Sequence, residues 1–359
     1  MTHSVGANPE ERSPSVRDAS AAVVHPGWVG VVVNRSSGKG SGPRLVGQLT
    51  DALGEYQIHS EVAWTPSERK AMVARADGDS HCRCLVAVGG DGTVSALVNE
   101  NPRVPLTVLR AGTENLAAQH FELRSNPRWL AHTIATGQTV PVDLGRANDR
   151  RFILMTGFGF DGDVVTRHHD MRTSRTGAIR TTHRAAYVEP ILRSSLSYQF
   201  PEIAARIDDG DAEETLVGTT VFVFNLPRYA LGLPFAPSAS QDDGLLDLVV
   251  FRDPGPLRAL YYLWKVVLGT HLDHPGVYHR RVRKVELTAG GAVPVQLDGD
   301  PAGYLLPTTN GAVSSVDGLT TTRACWTIEA VPGAVRFLVP APSSSDAHGV
   351  ALASQRRFR

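Results

Sequence analysis

The stretch AVGGDGTVSALVNE, residues 87–100, sets the tightest limit on what this chain can become. A buried-strand pattern, Cys84 to Val88, leaves through Gly89, Gly90, Asp91 and Gly92, and helix-compatible sequence follows at once from Thr93. In a parallel sheet such a turn lies at the carboxyl ends of the strands, where ligands bind. The helix that opens there presents free N–H groups, which form an anion site. Glycines without Cβ atoms let a phosphate reach the backbone, while Thr93 can cap the helix and offer a hydroxyl. Asp91 beside an anion calls for a divalent cation or a ribose between them. A second turn, LRAGTENLA, puts Gly112 and Thr113 between a strand and a helix start, so two neighbouring turns could hold one polyphosphate.

The flanking sequence supports that sheet. Strand-like GWVGVVVN, QIHSEVAW, CLVAVGG and PLTVLRAG alternate with helix-compatible segments from Leu45, Ser67, Thr93 and Asn115. Alternation of this kind predicts an α/β domain with a Rossmann-like parallel sheet over residues 27–140. Past residue 140 the segments RRFILMTGFG, EIAARID, TLVGTTVFVFN, GLLDLVVF, RKVELTA, VPVQLDG, CWTIEAV and AVRFLVP read as strands with few helices between them. They predict a mainly antiparallel β-sandwich over residues 141–341, interrupted by helices at 176–197 and 256–271. The polar ends, 1–26 and 342–359, are expected to be disordered tails.

Composition narrows the function. Lysine plus arginine number 36 and aspartate plus glutamate 36, so no basic footprint points to nucleic acid. Cys82, Cys84 and Cys325 make no disulfide framework, which suits a reduced, cytoplasmic setting. No apolar run approaches the roughly 18 residues of a membrane span. NRSSGKG, residues 34–40, lacks the spacing of a P-loop, and GFGFDG, residues 157–162, lies outside any strand–helix–strand unit of the parallel sheet, so it is no dinucleotide fingerprint. The histidines of TRHHDMR and THLDHPGVYH are expected on a solvated surface. RALYYLWKVVLGTHL carries an apolar stripe at helical spacing that either packs on its own domain or meets a membrane.

VVVNRSSGKG, VGGDGTVSALVNE, AGTENLA, VDLGRANDRRFILMTGFGFDGDVV, FAPSASQDDGLLDLVVF and LDGDP occur in one order. In that order the chain resembles the diacylglycerol kinase catalytic-domain family over residues 28–340. That family holds bacterial diacylglycerol and related lipid kinases together with sphingosine and ceramide kinases. The resemblance implies a nucleotide domain, a β-sandwich domain, and transfer of the γ-phosphoryl group of ATP to a lipid hydroxyl in the cleft between them. It places nucleotide contacts at Asn34, Arg35, Ser36, Ser37, Gly38, Thr65, Gly90, Asp91, Gly92, Thr93, Val94, Ser95, Ala96 and Thr113. Asp300, in Asp298-Gly299-Asp300, falls at the catalytic base position, and a structural magnesium site falls on Ser240, Asp243 and Leu245. Asp143, Asp161, Asp163 and Asp247 lie in family-like segments, with Asp143 expected near the metal and Asp247 under the loop that holds Asp243.

Arg110 stands where a proline is common in the family, and two further positions depart from the pattern. Leu116 stands where aspartate is common, and Asp300 stands where glutamate is usual, shorter by one methylene. A displacement of roughly 1 Å can cost about 100-fold in rate. Expected partners are ATP, magnesium and a lipid substrate at the inner membrane face, with a homodimer as an option. The competing readings are a NAD kinase-like enzyme and a non-catalytic nucleotide- or lipid-binding relic of the kinase fold.

Overall fold

The computed structural model describes residues 27–34, 41–173, 188–208, 213–307 and 321–342. Arg35, Ser36, Ser37, Gly38, both tails and much of the segment before Ser197 lie outside the described residues.

The first part of the chain alternates strand and helix. The elements are β1 (Gly27–Val33), α1 (Gly42–Gly54), β2 (Ile58–Ala63), α2 (Pro66–Gly78), β3 (Cys82–Gly89), α3 (Asp91–Val98), β4 (Leu106–Arg110), α4 (Leu116–His120) and α5 (Pro127–Thr136). The strands lie in the order β2-β1-β3-β4, all parallel. β3 is buried along nearly its whole length, as a strand covered on both faces must be. α1 buries Leu45, Val46, Leu49, Ala52 and Leu53, one face at helical period. α2 opens on a capping box, with Thr65 accepting from Glu68 N and the Glu68 carboxylate accepting from Thr65 N.

Strands then dominate. They are β5 (Gln138–Ala147), β6 (Arg150–Phe152) and β7 (Met155–Gly159), then α6 (Phe160–Thr173), α7 (Val188–Ser197), β8 (Ile203–Asp208), β9 (Glu213–Gly218), β10 (Thr220–Phe224) and β11 (Leu246–Phe251). α8 (Pro256–Val267) precedes β12 (Val277–Val282), β13 (Lys284–Ala289), β14 (Val293–Leu297), β15 (Asp300–Leu305), β16 (Thr321–Arg323) and β17 (Trp326–Val339). One sheet runs β12-β11-β10-β7-β14-β15-β16, antiparallel except for its last pair. β13, β8 and β9 extend the first sheet beyond β17. Phe158, Val223, Leu248 and Val295 from one sheet share a core with Ile203, Val285, Leu287 and Ile328 from the other. The result is an α/β domain with a parallel sheet joined to a mainly antiparallel β-sandwich, the expected fold class.

β17 joins the two parts. Its first residues pair with β13 on one side, β5 runs along it from Ile328 to Val339 on the other, and its end meets β4 at Phe337↔Leu106. CWTIEAV and AVRFLVP are therefore one long strand with an irregularity between Val331 and Val335, not two. The expected boundary at 140/141 falls inside β5.

Other differences are local. α5, β5, α6 and β12 fall where no separate element was expected. TLVGTTVFVFN divides into β9 and β10, which follow different sheets. The residues after Pro301 begin as β15, in a hairpin with β14. No helix among the described residues is long and apolar enough to cross a membrane.

Phe337 is fully buried and stacks on Phe121 with ring centroids 4.4 Å apart. Removing a ring of this kind costs about 3–5 kcal/mol. Phe337→Ala should lower the unfolding free energy by that amount in a denaturant titration; a loss below about 1 kcal/mol would show that β17 is not the tie between the parts.

Candidate active site

The two glycine turns are fitted to each other. A Cβ on Gly112 would lie 2.4 Å from Gly90 Cα, and a Cβ on Gly89 would lie 2.0 Å from Thr93 Oγ1. Gly89 is thus required by the Thr93 side chain and Gly90 and Gly112 by each other's backbone, and Gly92 is the glycine that faces the opening. Its nearest neighbour to an added Cβ is Asp300 Oδ2, at 3.4 Å. α3 starts earlier than expected, with Gly90 as its N-cap and no side-chain cap. Thr93 therefore does not cap the helix. Its hydroxyl is buried beside Gly89 with no hydrogen-bond partner among the described residues, a donor and acceptor held ready at the turn.

Asp91 takes a different place from the one its sequence neighbours suggested. Its Oδ2 accepts from Leu116 N and its Oδ1 from Ala117 N, both at 3.0 Å. The carboxylate thus covers the free N–H groups at the start of α4, where the helix dipole favours negative charge. Burial pushes this carboxyl up, and the two N–H groups pull it back. Asn115 fixes the same turn in a left-handed conformation, accepting from Gly112 N at 2.9 Å and donating to Gly112 O at 2.7 Å.

The facing wall is the turn between β14 and β15. Asp298 is buried and sits at a φ of 51°. Its carboxylate accepts from Ile153 N at 3.0 Å, Leu154 N at 2.8 Å and Met155 N at 3.2 Å, and the Ser95 hydroxyl of α3 adds a fourth donor. Burial nevertheless pushes its carboxyl up to about 6. Gln296 Oε1 accepts from Gly299 N at 2.8 Å, so the turn is held at both of its first residues. Asp300 follows, exposed in the cleft with Oδ2 directed at the Gly92 position. Gln296 Nε2 also donates to Asp161 Oδ2 at 2.8 Å. Asp161 stands in the first turn of α6, is bonded by Tyr229, and is pushed up to about 7 by burial.

These groups line one cavity of about 530 Å³. Its polar end holds Asn34, the turn at Gly90–Thr93, Gly112 to Glu114, and Asp298 to Asp300. Its other end is walled by Phe160, Val164, Phe200, Phe222, Phe235, Phe251 and Leu263. Asp91, Glu114, Asp161, Asp253, Asp298 and Asp300 belong to the wall, the carboxylates of Asp91 and Asp298 turned onto backbone N–H groups, and no lysine or arginine joins them among the described residues.

Not every expected contact is brought here. Thr65 is an exposed helix cap and is absent from the cavity wall. Val94 and Ser95 are buried in α3, and Ser95 serves Asp298. Ala96 lies partly exposed on the same helix. Ser240, Asp243 and Leu245 lie on the loop before β11, also outside the cavity wall. Asp243 Oδ1 accepts from Leu245 N at 2.9 Å, its Oδ2 is ion-paired with Arg281, and Ser240 donates to Asp242 at 2.7 Å. Asp243, the one carboxylate of the three expected ligands, is thus engaged by Leu245 N and Arg281, and no group of three or more His, Cys, Asp or Glu side chains gathers as a metal site among the described residues. Asp143 pins the loop instead, accepting from Gly244 N and Gly333 N at 2.7 Å. Asp247 accepts from Ser238 at 2.6 Å beneath it, and Asp163 pairs with Arg167.

The sequence matches the model of the diacylglycerol kinase catalytic domain over residues 29–147. It matches the YegS C-terminal NAD kinase beta sandwich-like domain over residues 156–339. A diacylglycerol kinase of Staphylococcus carnosus is 25% identical over 283 residues, 77% of this chain and 89% of the relative. A diacylglycerol kinase of Mycobacterium tuberculosis (strain ATCC 25618 / H37Rv) is 30% identical over 225 residues, 60% of this chain and 70% of the relative. A crystal structure of a diacylglycerol kinase from Bacillus anthracis str. Sterne shares the fold, with TM-score 0.59 at 18% identity over 87% of this chain and 96% of that one. Both halves of the cavity thus fall inside matched domains, and the chain belongs to the diacylglycerol kinase catalytic-domain family.

Proposed function

We propose that the protein is a lipid kinase that transfers the γ-phosphoryl group of ATP to a hydroxyl of a diacylglycerol- or sphingosine-like lipid. The observation that carries this reading is the position of Asp300, at the junction of a glycine turn and an apolar chamber within one cavity. The chamber suits acyl chains better than a nicotinamide nucleotide, which argues against the NAD kinase alternative.

ATP would lie along the carboxyl ends of β1, β3 and β4. Asn34, the N–H groups after Gly90, the Thr93 hydroxyl and Thr113 are the groups positioned to meet its phosphates. Among the described residues the wall carries acidic side chains and no lysine or arginine, so ATP is read as entering as its magnesium complex, which would also neutralise charge on the transferred group. Asp300 accepts the proton of the lipid hydroxyl as its oxygen bonds to the γ-phosphorus; the bond from that phosphorus to the bridging oxygen breaks, and ADP keeps the electron pair. Asp298 and Gln296 act on Asp300 by holding its turn. The protein is read as cytoplasmic, visiting the inner membrane face for its substrate.

Asp300→Asn keeps the volume and the turn but cannot take a proton. With labelled ATP and a panel of lipid acceptors, ATP binding should persist while turnover falls by about 100-fold or more; Asp300→Glu should remain active. Turnover by Asp300→Asn equal to the parent's would move the base elsewhere.

Magnesium on Ser240, Asp243 and Leu245 would have to displace the Arg281 side chain from Asp243, and an ion held only by the native state raises the melting temperature. A magnesium-dependent gain that vanishes in Asp243→Ala would support the site; a melting temperature that is the same in magnesium and in chelator would remove it.

Burial raises Asp161 from its ordinary 3.8 to about 7, so the native state holds this proton more tightly than the unfolded chain does. Its contribution to stability is complete below about pH 4 and is lost as pH rises through 7; Asp298 acts in the same direction through about 6. Asp161→Asn should therefore gain thermal stability relative to the parent at about pH 8 and not at about pH 4. An equal difference at both values would exclude a titrating Asp161.

A further inference from the structure

α8 is apolar on two opposite faces, which a helix at the surface of a water-soluble domain does not need. At about 100° per residue, Ala259, Tyr262, Leu263 and Val266 fall on one face, and all four line the cavity. Leu257, Leu260, Trp264, Val267 and the C-cap residue Leu268 fall on the other. All five are exposed, Leu257 to 81% and Trp264 to 55%. Tyr262 and Val266 are buried, so the helix is anchored by its inner face. Arg258 and Lys265 stand together along one flank of the outer stripe, and the helix contains no acidic residue. Leu231 adds a further apolar side chain that is at once exposed and part of the cavity wall, marking the mouth.

We propose that the outer face of α8 seats the protein on an anionic phospholipid bilayer, so that the acceptor lipid passes from the membrane to the cavity along the inner face of the same helix. The reading rests on the lipid kinase assignment for what enters the cavity. The choice of a bilayer as occupant rests on three features: one helix serves both the stripe and the chamber, the helix itself carries only cations along its flank (Arg258, which also pairs with Asp253 just before the helix, and Lys265), and the mouth is apolar. An interfacial helix has this form, with its apolar side chains in the acyl boundary and its cations among anionic headgroups. A second copy of the chain could also cover such a stripe, but two like-charged flanks would then face each other.

The test is co-sedimentation of the full chain with vesicles of phosphatidylcholine, with and without phosphatidylglycerol. The variant is Leu257→Ser/Trp264→Ser/Val267→Ser, whose three positions are exposed and outside the cavity wall. Circular dichroism should match the parent. Binding to anionic vesicles should weaken by about tenfold or more, and the parent's binding should fall with added salt and without phosphatidylglycerol. Turnover of long-chain diacylglycerol in vesicles should drop, while turnover of a monomeric short-chain diacylglycerol should stay unchanged. Undiminished vesicle binding by the variant would overturn the proposal. So would a parent that dimerises in sedimentation and a variant that does not. A parent that phosphorylates neither acceptor would count against the kinase reading alone, because vesicle binding is read without turnover.

Discussion

The buried carboxylate of Asp298 holds the parts of this molecule in working relation. It gathers three backbone N–H groups from the segment entering β7 and a hydroxyl from α3, and so fastens the β-sandwich to the helix that opens at the glycine turn. A carboxylate out of water is expensive unless its lone pairs are used, and here four donors use them. The residue that follows two positions later gains a fixed place across the cleft. Asp300 is thus positioned by a partner that takes no proton from the acceptor. The strained turn, with left-handed backbone at both Asp298 and Gly299, is the kind of feature that persists only where surrounding contacts impose it.

The parallel half was legible because its signals are local. Buried runs such as Cys84–Val88, punctuated by glycine and followed by helical spacing, give strand and helix without tertiary knowledge. α5 also left a signal, Asn126 as N-cap with Pro127 at the first helical position, which went unread. α6 left almost none: in FDGDVVTRHHDMRT the buried apolar residues are Val164 and Val165, and charge obscures any face. β15 begins Asp-Pro-Ala-Gly, a composition that argues against a strand, and it is one because β14 offers the hairpin partner.

The site divides in the same way. Gly92 and Asp300 stand in motifs that point to the chemistry directly. Asp91 stands in the same motif, yet its carboxylate is spent on α4. Asp161 stands in a family-like segment but with no role attached, and Gln296 carries no motif; their importance comes from burial and from a bond across 135 positions. Such groups are invisible until the chain is folded, since the same aspartate on a solvated surface would have an ordinary acidity and no neighbour to orient.

The departures from the family pattern at positions 116 and 300 look different once the contacts are known. What Asp91 requires at position 116 is a backbone N–H, and leucine supplies it as well as aspartate would. The side chain is free to be apolar, and Leu116 is buried in the core beneath the turn while its edge reaches the cavity. Position 300 is more demanding, because there the side chain itself must arrive. The clamp on Asp298 and Gly299 brings the shorter carboxylate within 3.4 Å of the place a Cβ on Gly92 would occupy. The two walls therefore close on each other at a glycine. A Cβ at residue 92 would meet only this carboxylate, so Gly92 keeps the space between Asp300 and the polar end of the cavity open, while Gly89 and Gly112 are the glycines that packing itself leaves no room to replace.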